Sequence, residues 1–427
     1  MRKLYGVILI LIFAVKAMAQ TAPDNYTVAV NKFKQYYNNN QPDSIFNMFS
    51  PELKASLPAD KWNATTTQLR AQLGSLVKTD FEKFTTPTAT YKATFNNAVF
   101  FLNLSLNNQN KLIGIFFNPY VEPSKTIQMD ASLNEEPVLL KTFTGSIPGT
   151  LTVPKQVSGK IPVVLIIAGS GPTDRDGNGL KTGLNTNAYK MLANELGKNG
   201  IASVRYDKRM VGSSVSSAKE KELRFNDYVD DAVGLINMLN EDQRFSKIIV
   251  LGHSEGSLVG LLSIPDQPVK GFISVAGAGQ SADKIVTEQM KAQPKFLADK
   301  FKTMLDSLKK GKYTDDIDPS LYFIARPSIQ PYLMSWFRYD PARVIKAAKI
   351  PVLILQGAND VQVPVSEAEK LKKAKSDATL VIIPGMNHVL KDAPADRAQN
   401  LATYNKPDLP LKPELVTSIV TFIKGLK

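Results

Sequence analysis

From residue 161 onward, unbroken apolar runs alternate with polar segments that carry apolar residues at helical spacing. The runs are "IPVVLIIAG" (161–169), "IASVRYD" (201–207), "KIIVLG" (247–252), "VKGFISVAG" (269–277), "IPVLILQG" (350–357) and "ATLVIIPG" (378–385). Runs this long, rich in Val and Ile, suit parallel strands covered on both faces, where neither side of the pleat meets water. Between them, "NTNAYKMLANELGKNG" and "FNDYVDDAVGLINMLNE" read as helices. Strands alternating with helices predict an α/β fold: an open, doubly wound, mostly parallel sheet. Ahead of it, "EPVLLKTFTGSIPGTLTVPK" reads as strand, turn and strand. Residues 281 to about 349 break the alternation. They hold no strand-like run and keep apolar residues at helical spacing, which predicts a helical cap inserted between two strands.

Residues 24–120 have another texture. Short helical stretches are broken at Pro42, Pro51 and Pro58, and "KWNATTTQLRAQLGSLVKT" reads as one further helix. "TATYKATF", "NAVFFLNLSLN" and "KLIGIFFNP" then alternate apolar and polar residues as half-buried antiparallel strands do. This predicts a small α+β domain, similar in its order of elements to the cystatin-like and NTF2-like domains that precede hydrolase domains in some secreted bacterial proteins. "NPYVEPSK", with Pro119 and Pro123, reads as a linker, and the second domain is expected over 130–427.

The first twenty residues stand apart. Arg2 and Lys3 precede an apolar stretch from Leu4 to Val15 and a small-x-small ending at Ala17-Met18-Ala19. This is the pattern of a cleavable signal peptide (1–19, cut after Ala19), and the stretch falls short of the ~20 residues that span a bilayer. The expected location is therefore periplasmic or secreted, with no membrane span in the mature form. The chain contains no cysteine, which excludes disulfides, thiolate metal sites and an N-terminal lipid-bearing cysteine. Of 427 residues, 52 are Lys or Arg and 39 are Asp or Glu, a formal net charge of +13. The lysines are spread through mixed-charge segments such as "KEKELR", and no zinc-finger or RNP-type pattern occurs, so nucleic acid is not the expected partner.

The candidate chemistry sits in "KIIVLGHSEGSLVGLLS". A strand ends, Gly252-His253-Ser254-Glu255-Gly256 turns sharply, and an apolar-periodic helix follows. Glycines at both flanks allow that turn without clashes, and the helix aims its free amides at the serine. A serine hydroxyl needs a base. Of the only two histidines, His253 is expected to point away from the apex and pack, whereas His388 lies in a loop just after a strand. Loops at the carboxyl ends of strands are where doubly wound sheets place reactive groups. Asp360, in "QGANDVQVP", follows another strand and is the expected acid, ahead of Asp392 and Asp396. The order Ser254, Asp360, His388 is that of the α/β-hydrolases. The oxyanion donors expected are the backbone amides of Glu255 and, from the loop after "IPVVLIIAG", of Ser170. The Glu255 side chain either pairs with a basic group or faces substrate. "DRDGNG" (174–179) mimics the start of a calcium loop, but Asn185 stands where the bidentate Glu belongs, so hydrogen bonds among Asp, Arg and backbone are expected instead.

Taken together, "AGSGPTDRDGNG", "RYDKRMVGSS", "LGHSEGS", "QGANDVQVP" and "PGMNH" resemble the α/β-hydrolase superfamily over residues 130 to 427, in its secreted bacterial esterase branch, which is related to prolyl-oligopeptidase-type catalytic domains. The resemblance implies hydrolysis of short-chain or aryl acyl esters through a Ser254 acyl-enzyme, with a small-molecule ester as partner and no cofactor or metal. Two departures concern the oxyanion region: Ala168 stands where many relatives carry histidine, and "KRMVG" replaces the frequent Arg-Gly-x-Gly. The alternatives are a serine exopeptidase or aminoacyl hydrolase of the same fold, and a non-catalytic binding protein on a hydrolase scaffold.

Overall fold

The computed structural model describes residues 21–120 and 127–427 apart from positions 292, 294, 319 and 320. The segment read as a signal peptide lies outside them, as does the 121–125 part of the linker. The described residues form two compact units, divided after Tyr120.

In the first unit, helices Asp24–Asn38 and Ala59–Leu73 precede an antiparallel sheet ordered β1 (Leu76–Thr85), β2 (Thr88–Phe95), β3 (Val99–Leu106) and β4 (Leu112–Pro119). Period-2 alternation buries Ala89, Tyr91, Ala93 and Phe95 of β2, and Leu102, Leu104 and Leu106 of β3, in one core with Phe33, Tyr37 and Trp62. The segment "KWNATTTQLRAQLGSLVKT" is not one helix, as the sequence reading had it. The helix stops at Leu73, Gly74 takes a left-handed φ of 73°, and β1 begins at Leu76. Glycine at a helix C-terminus is the usual stop. Here the Asn38 side chain then captures the backbone of Leu76, accepting from its amide at 2.8 Å and donating to its carbonyl at 3.0 Å.

The second unit is built on one sheet. Its strands are β5 (Leu133–Thr142), β6 (Gly145–Pro154), β7 (Ile161–Ile167), β8 (Ala202–Tyr206), β9 (Val215–Ser216), β10 (Phe245–His253), β11 (Val269–Val275), β12 (Val352–Gly357) and β13 (Thr379–Ile383). They lie in the order β13-β12-β11-β10-β7-β8-β6-β5, with β9 on β6. β7, β8 and β10 to β13 pair in parallel, while β5, β6 and β9 join antiparallel. The pleat explains the unbroken apolar runs. Val163, Leu165 and Ile167 of β7 enter one core, whereas Val164 and Ile166 enter the core on the opposite face. Helices Ala188–Lys198 and Pro413–Gly425 cover the second face, and Phe225–Glu241, Glu255–Ser263 and Val365–Ala374 cover the first. Between β11 and β12, the described residues form helices Ala282–Met290, Lys295–Lys309, Tyr322–Ala325, Gln330–Trp336 and Pro341–Ala347, the helical cap expected there. Among the described residues, no helix is long and apolar enough to cross a membrane.

Candidate active site

β10 runs directly into Ser254, which adopts φ 54° and ψ −119°, and the helix Glu255–Ser263 starts at the next residue. A serine with positive φ is strained by roughly 1–3 kcal/mol and persists only where its surroundings impose it. The surroundings are explicit. The Ser254 amide donates to the Val275 carbonyl at the end of β11 at 2.8 Å. A Cβ on Gly256 would lie 2.3 Å from the Ile167 carbonyl oxygen, and one on Gly252 would lie 2.1 Å from that of Gly256. The two glycines thus let the helix sit against its own strand and against β7.

Asp360 follows β12 and His388 follows β13, and their side chains meet: His388 Nδ1 is 2.8 Å from Asp360 Oδ2. The other carboxylate oxygen of Asp360 accepts from the amides of Gln362 at 2.8 Å and Val363 at 2.9 Å. Burial opposes the Asp360 charge, but the facing His388 and these donors outweigh it and hold the carboxyl below its ordinary range. Asp392 and Asp396 are engaged elsewhere. Asp392 is an exposed partner of Lys412 at 2.7 Å, and Asp396 caps the helix Arg397–Ala402 by accepting from the Gln399 amide.

His253 is buried and hydrogen-bonded at both ring nitrogens. Nε2 is 2.8 Å from the His388 carbonyl and Nδ1 is 2.8 Å from the Tyr189 hydroxyl. A carbonyl only accepts, so Nε2 carries the proton and Nδ1 accepts from the phenol. Burial, reinforced by the neighbouring His388, lowers the His253 pKa to about 3 and keeps the ring neutral.

The loop after β7 lies against the serine, since a Cβ on Gly169 would be 3.2 Å from Ser254 Cβ. Among the described residues the Ser170 amide has no protein acceptor, and the Glu255 amide is the first of its helix's unbonded donors. In "DRDGNG", Asp174 accepts from the amides of Asp176 at 2.9 Å and Asn178 at 2.8 Å, Arg175 pairs with Asp207 at 2.7 Å, and Asp176 pairs with Arg205 at 2.8 Å. These are the Asp–Arg–backbone bonds expected there.

Lys208 was passed over in the sequence reading, although "KRMVG" drew notice as a departure. It follows β8, is fully buried, and its Nζ donates to the Gly169 carbonyl at 2.5 Å. The Glu255 carboxylate lies 3.9 Å from that ammonium, and the Tyr228 ring centroid 5.3 Å from it. The Glu255 side chain, left open between a basic partner and substrate, thus faces this ammonium and also lines a cavity beside Ser254. Burial pushes the Lys208 amine down and the Glu255 carboxyl up, and each charge counters the other's shift.

Ser254 lines two cavities. The larger, about 470 Å³, extends under the cap and is walled by Tyr228, Phe301, Tyr332, Trp336 and Phe337. The smaller, about 250 Å³, also contains His388, with Thr173, Gln362 and Tyr404 in its wall.

Comparison with known proteins adds the following. A family described as serine aminopeptidase, S33, matches residues 183–328, and one described as a protein of unknown function (DUF3887) matches residues 30–115. Esterase EstD of Thermotoga maritima is 24% identical over 384 residues, covering 84% of this chain and 86% of that protein. The 2-(acetamidomethylene)succinate hydrolase of Mesorhizobium japonicum is 23% identical over 254 residues, covering 55% of this chain and 87% of that one. The ferulic-acid-bound structure of Est1E from Butyrivibrio proteoclasticus superposes with a TM-score of 0.47 at 18% identity, covering 67% of this chain and 99% of that one. A doubly wound sheet whose strands lead, in chain order, to a serine elbow, an acid and a histidine is the α/β-hydrolase arrangement, and the second unit of this chain has that fold.

Proposed function

We propose that the protein is a serine hydrolase of carboxylic esters in which Ser254 is the nucleophile, His388 the base and Asp360 the acid. The observation that carries this reading is the 2.8 Å contact of His388 with Asp360, in a cavity that also holds a serine strained at φ 54°. Ser254 Oγ attacks the ester carbonyl while His388 Nε2 takes its proton, and Asp360 fixes the tautomer and stabilises the imidazolium. The Glu255 and Ser170 amides receive the oxyanion. His388 then protonates the departing alcohol, and water repeats the attack on the acyl-enzyme. Because His388 serves the leaving oxygen, the alcohol occupies the smaller cavity and an apolar, short-chain or aryl acyl group the larger one. Similarity to an esterase over most of the chain supports the ester assignment.

The match to a family described as serine aminopeptidase favours a second reading, cleavage of aminoacyl substrates. Such a substrate brings an α-ammonium that needs an uncompensated carboxylate. In the larger cavity Glu220 is bound by Arg326 and Ser328, and Glu255 faces Lys208. Neutral esters fit these walls better. The basic, apolar and small-residue order of residues 1–19 supports export to the periplasm or beyond.

The test is fluorophosphonate labelling together with p-nitrophenyl ester turnover. The wild type is labelled and active, Ser254→Ala is neither, and His388→Ala loses at least ~10³-fold in kcat. A wild type that is neither labelled nor active supports the non-catalytic binding alternative. Faster turnover of aminoacyl amides than of esters supports the peptidase reading.

A further inference from the structure

Gly169 is gripped at both of its backbone polar groups. Its N–H donates to the Tyr189 hydroxyl at 3.2 Å, and its carbonyl accepts from Lys208 Nζ at 2.5 Å. The Tyr189 hydroxyl in turn donates to His253 Nδ1, and His253 Nε2 donates to the His388 carbonyl. Two side chains from distant parts of the chain thus grip one glycine beside Ser254, and one of them is itself held by His253. An ammonium with almost no exposure is an expensive way to satisfy a single carbonyl, and its cost is offset by Glu255 3.9 Å away and the Tyr228 ring 5.3 Å away.

The geometry of the peptide bond gives that expense a purpose. The Gly169 carbonyl and the Ser170 N–H belong to one planar group and point in opposite directions. Whatever holds the carbonyl therefore sets the direction of the amide. The next residue, Gly171, has φ 77°, so the loop carries glycines on both sides of Ser170 and little else to resist rotation of that plane. A cation on the carbonyl also polarises the group and strengthens its N–H as a donor.

Resting on the ester-hydrolase reading, we propose that Lys208 is a positioning residue of the oxyanion hole: it locks the Gly169–Ser170 peptide so that the Ser170 amide faces the developing oxyanion, with the Glu255 carboxylate as its counter-charge. Glu255 then serves twice, through its amide toward the oxyanion and through its side chain toward the lysine. Tyr189 completes the clamp from the other side of Gly169.

The test compares the wild type with Lys208→Met/Glu255→Gln, a pair chosen so that no buried charge is left alone. Turnover of p-nitrophenyl acetate and inhibition by phenylboronic acid, which forms a tetrahedral adduct on serine, are measured on each. Loss of the wild-type turnover in Ser254→Ala is read first, so a failure of the ester-hydrolase reading appears there and a failure of the clamp appears only in the variants. The expected result for the folded double variant is a kcat lower by about 100-fold, boronate affinity lower by a similar factor, and KM within about threefold of wild type. A purely charge-balancing role leaves kcat of this double variant within about threefold of wild type, and that result overturns the proposal. If the double variant does not fold, Tyr189→Phe decides. A kcat lower by about tenfold, with boronate affinity falling in step, supports the clamp, and an unchanged kcat overturns it.

Discussion

His253 and His388 have ring centroids only 4.9 Å apart, and their hydrogen-bond partners differ. His388 has a carboxylate on Nδ1, which fixes the orientation of its ring. His253 has a phenol and a carbonyl, which do not compensate a second proton. Chain position by itself favoured His388 as the candidate base, because a loop after a strand is where reactive groups gather and an elbow neighbour is not. The bonds that hold His253 were not legible, since Tyr189 lies 64 residues away and the His388 carbonyl 135. A pH effect follows. The folded pKa of His253 is about 3, against an ordinary 6.5. Below pH 6.5 the unfolded chain takes a proton there that the folded chain refuses, so stability falls as pH drops from 6.5 toward 3. Measured by denaturant unfolding, the wild type should lose ~2 kcal/mol more between pH 7 and pH 5 than His253→Asn does.

Among the elements, the elbow carries the tightest demand. Gly256 faces the backbone of β7, with the Ile167 and Ala168 carbonyls 2.3 Å and 2.6 Å from where a Cβ would stand. Backbone cannot move aside as a side chain can. Gly256→Ala should destabilise the fold by about 3 kcal/mol and abolish ester turnover in whatever remains folded, as read by thermal unfolding and a p-nitrophenyl assay. The G-x-S-x-G spacing announced this element because steric demand is local and leaves a local mark. The same logic explains the missed β1. The helical reading of this stretch ran on past Leu73, and Gly74 is a single stop signal inside it. What decided the change to strand was pairing with β2 and the grip of Asn38, both supplied by distant chain.

For the whole molecule, each compact unit has its own core, and every residue assigned to the site lies in the second. A unit with its own core folds alone. Residues 127–427 expressed by themselves should therefore keep kcat/KM on p-nitrophenyl acetate within about threefold of the full chain. A loss beyond tenfold would place part of the catalytic apparatus in the first unit. The formal charge of +13 is spread through the chain, and the charged side chains of the larger cavity that bear on substrate charge, Glu220 with Arg326 and Glu255 with Lys208, are matched in pairs. Charge thus acts on solubility and encounter rather than on substrate choice.

By itself the sequence determined the sheet, the elbow and the chain order of serine, acid and histidine. Strand burial leaves continuous apolar runs, a sharp turn leaves glycines, and both can be read within a dozen residues. Only the tertiary structure decided what surrounds them: which cavity lies on which side of Ser254, why His253 stays neutral, and which cation the Glu255 side chain meets. Those depend on Lys208 reaching Gly169, 39 residues back along the chain, and on a buried cation meeting a buried anion between two loops. Such pairings have no period and no fixed spacing, because they are set by which strands become neighbours, and only folding makes β7, β8 and β10 adjacent.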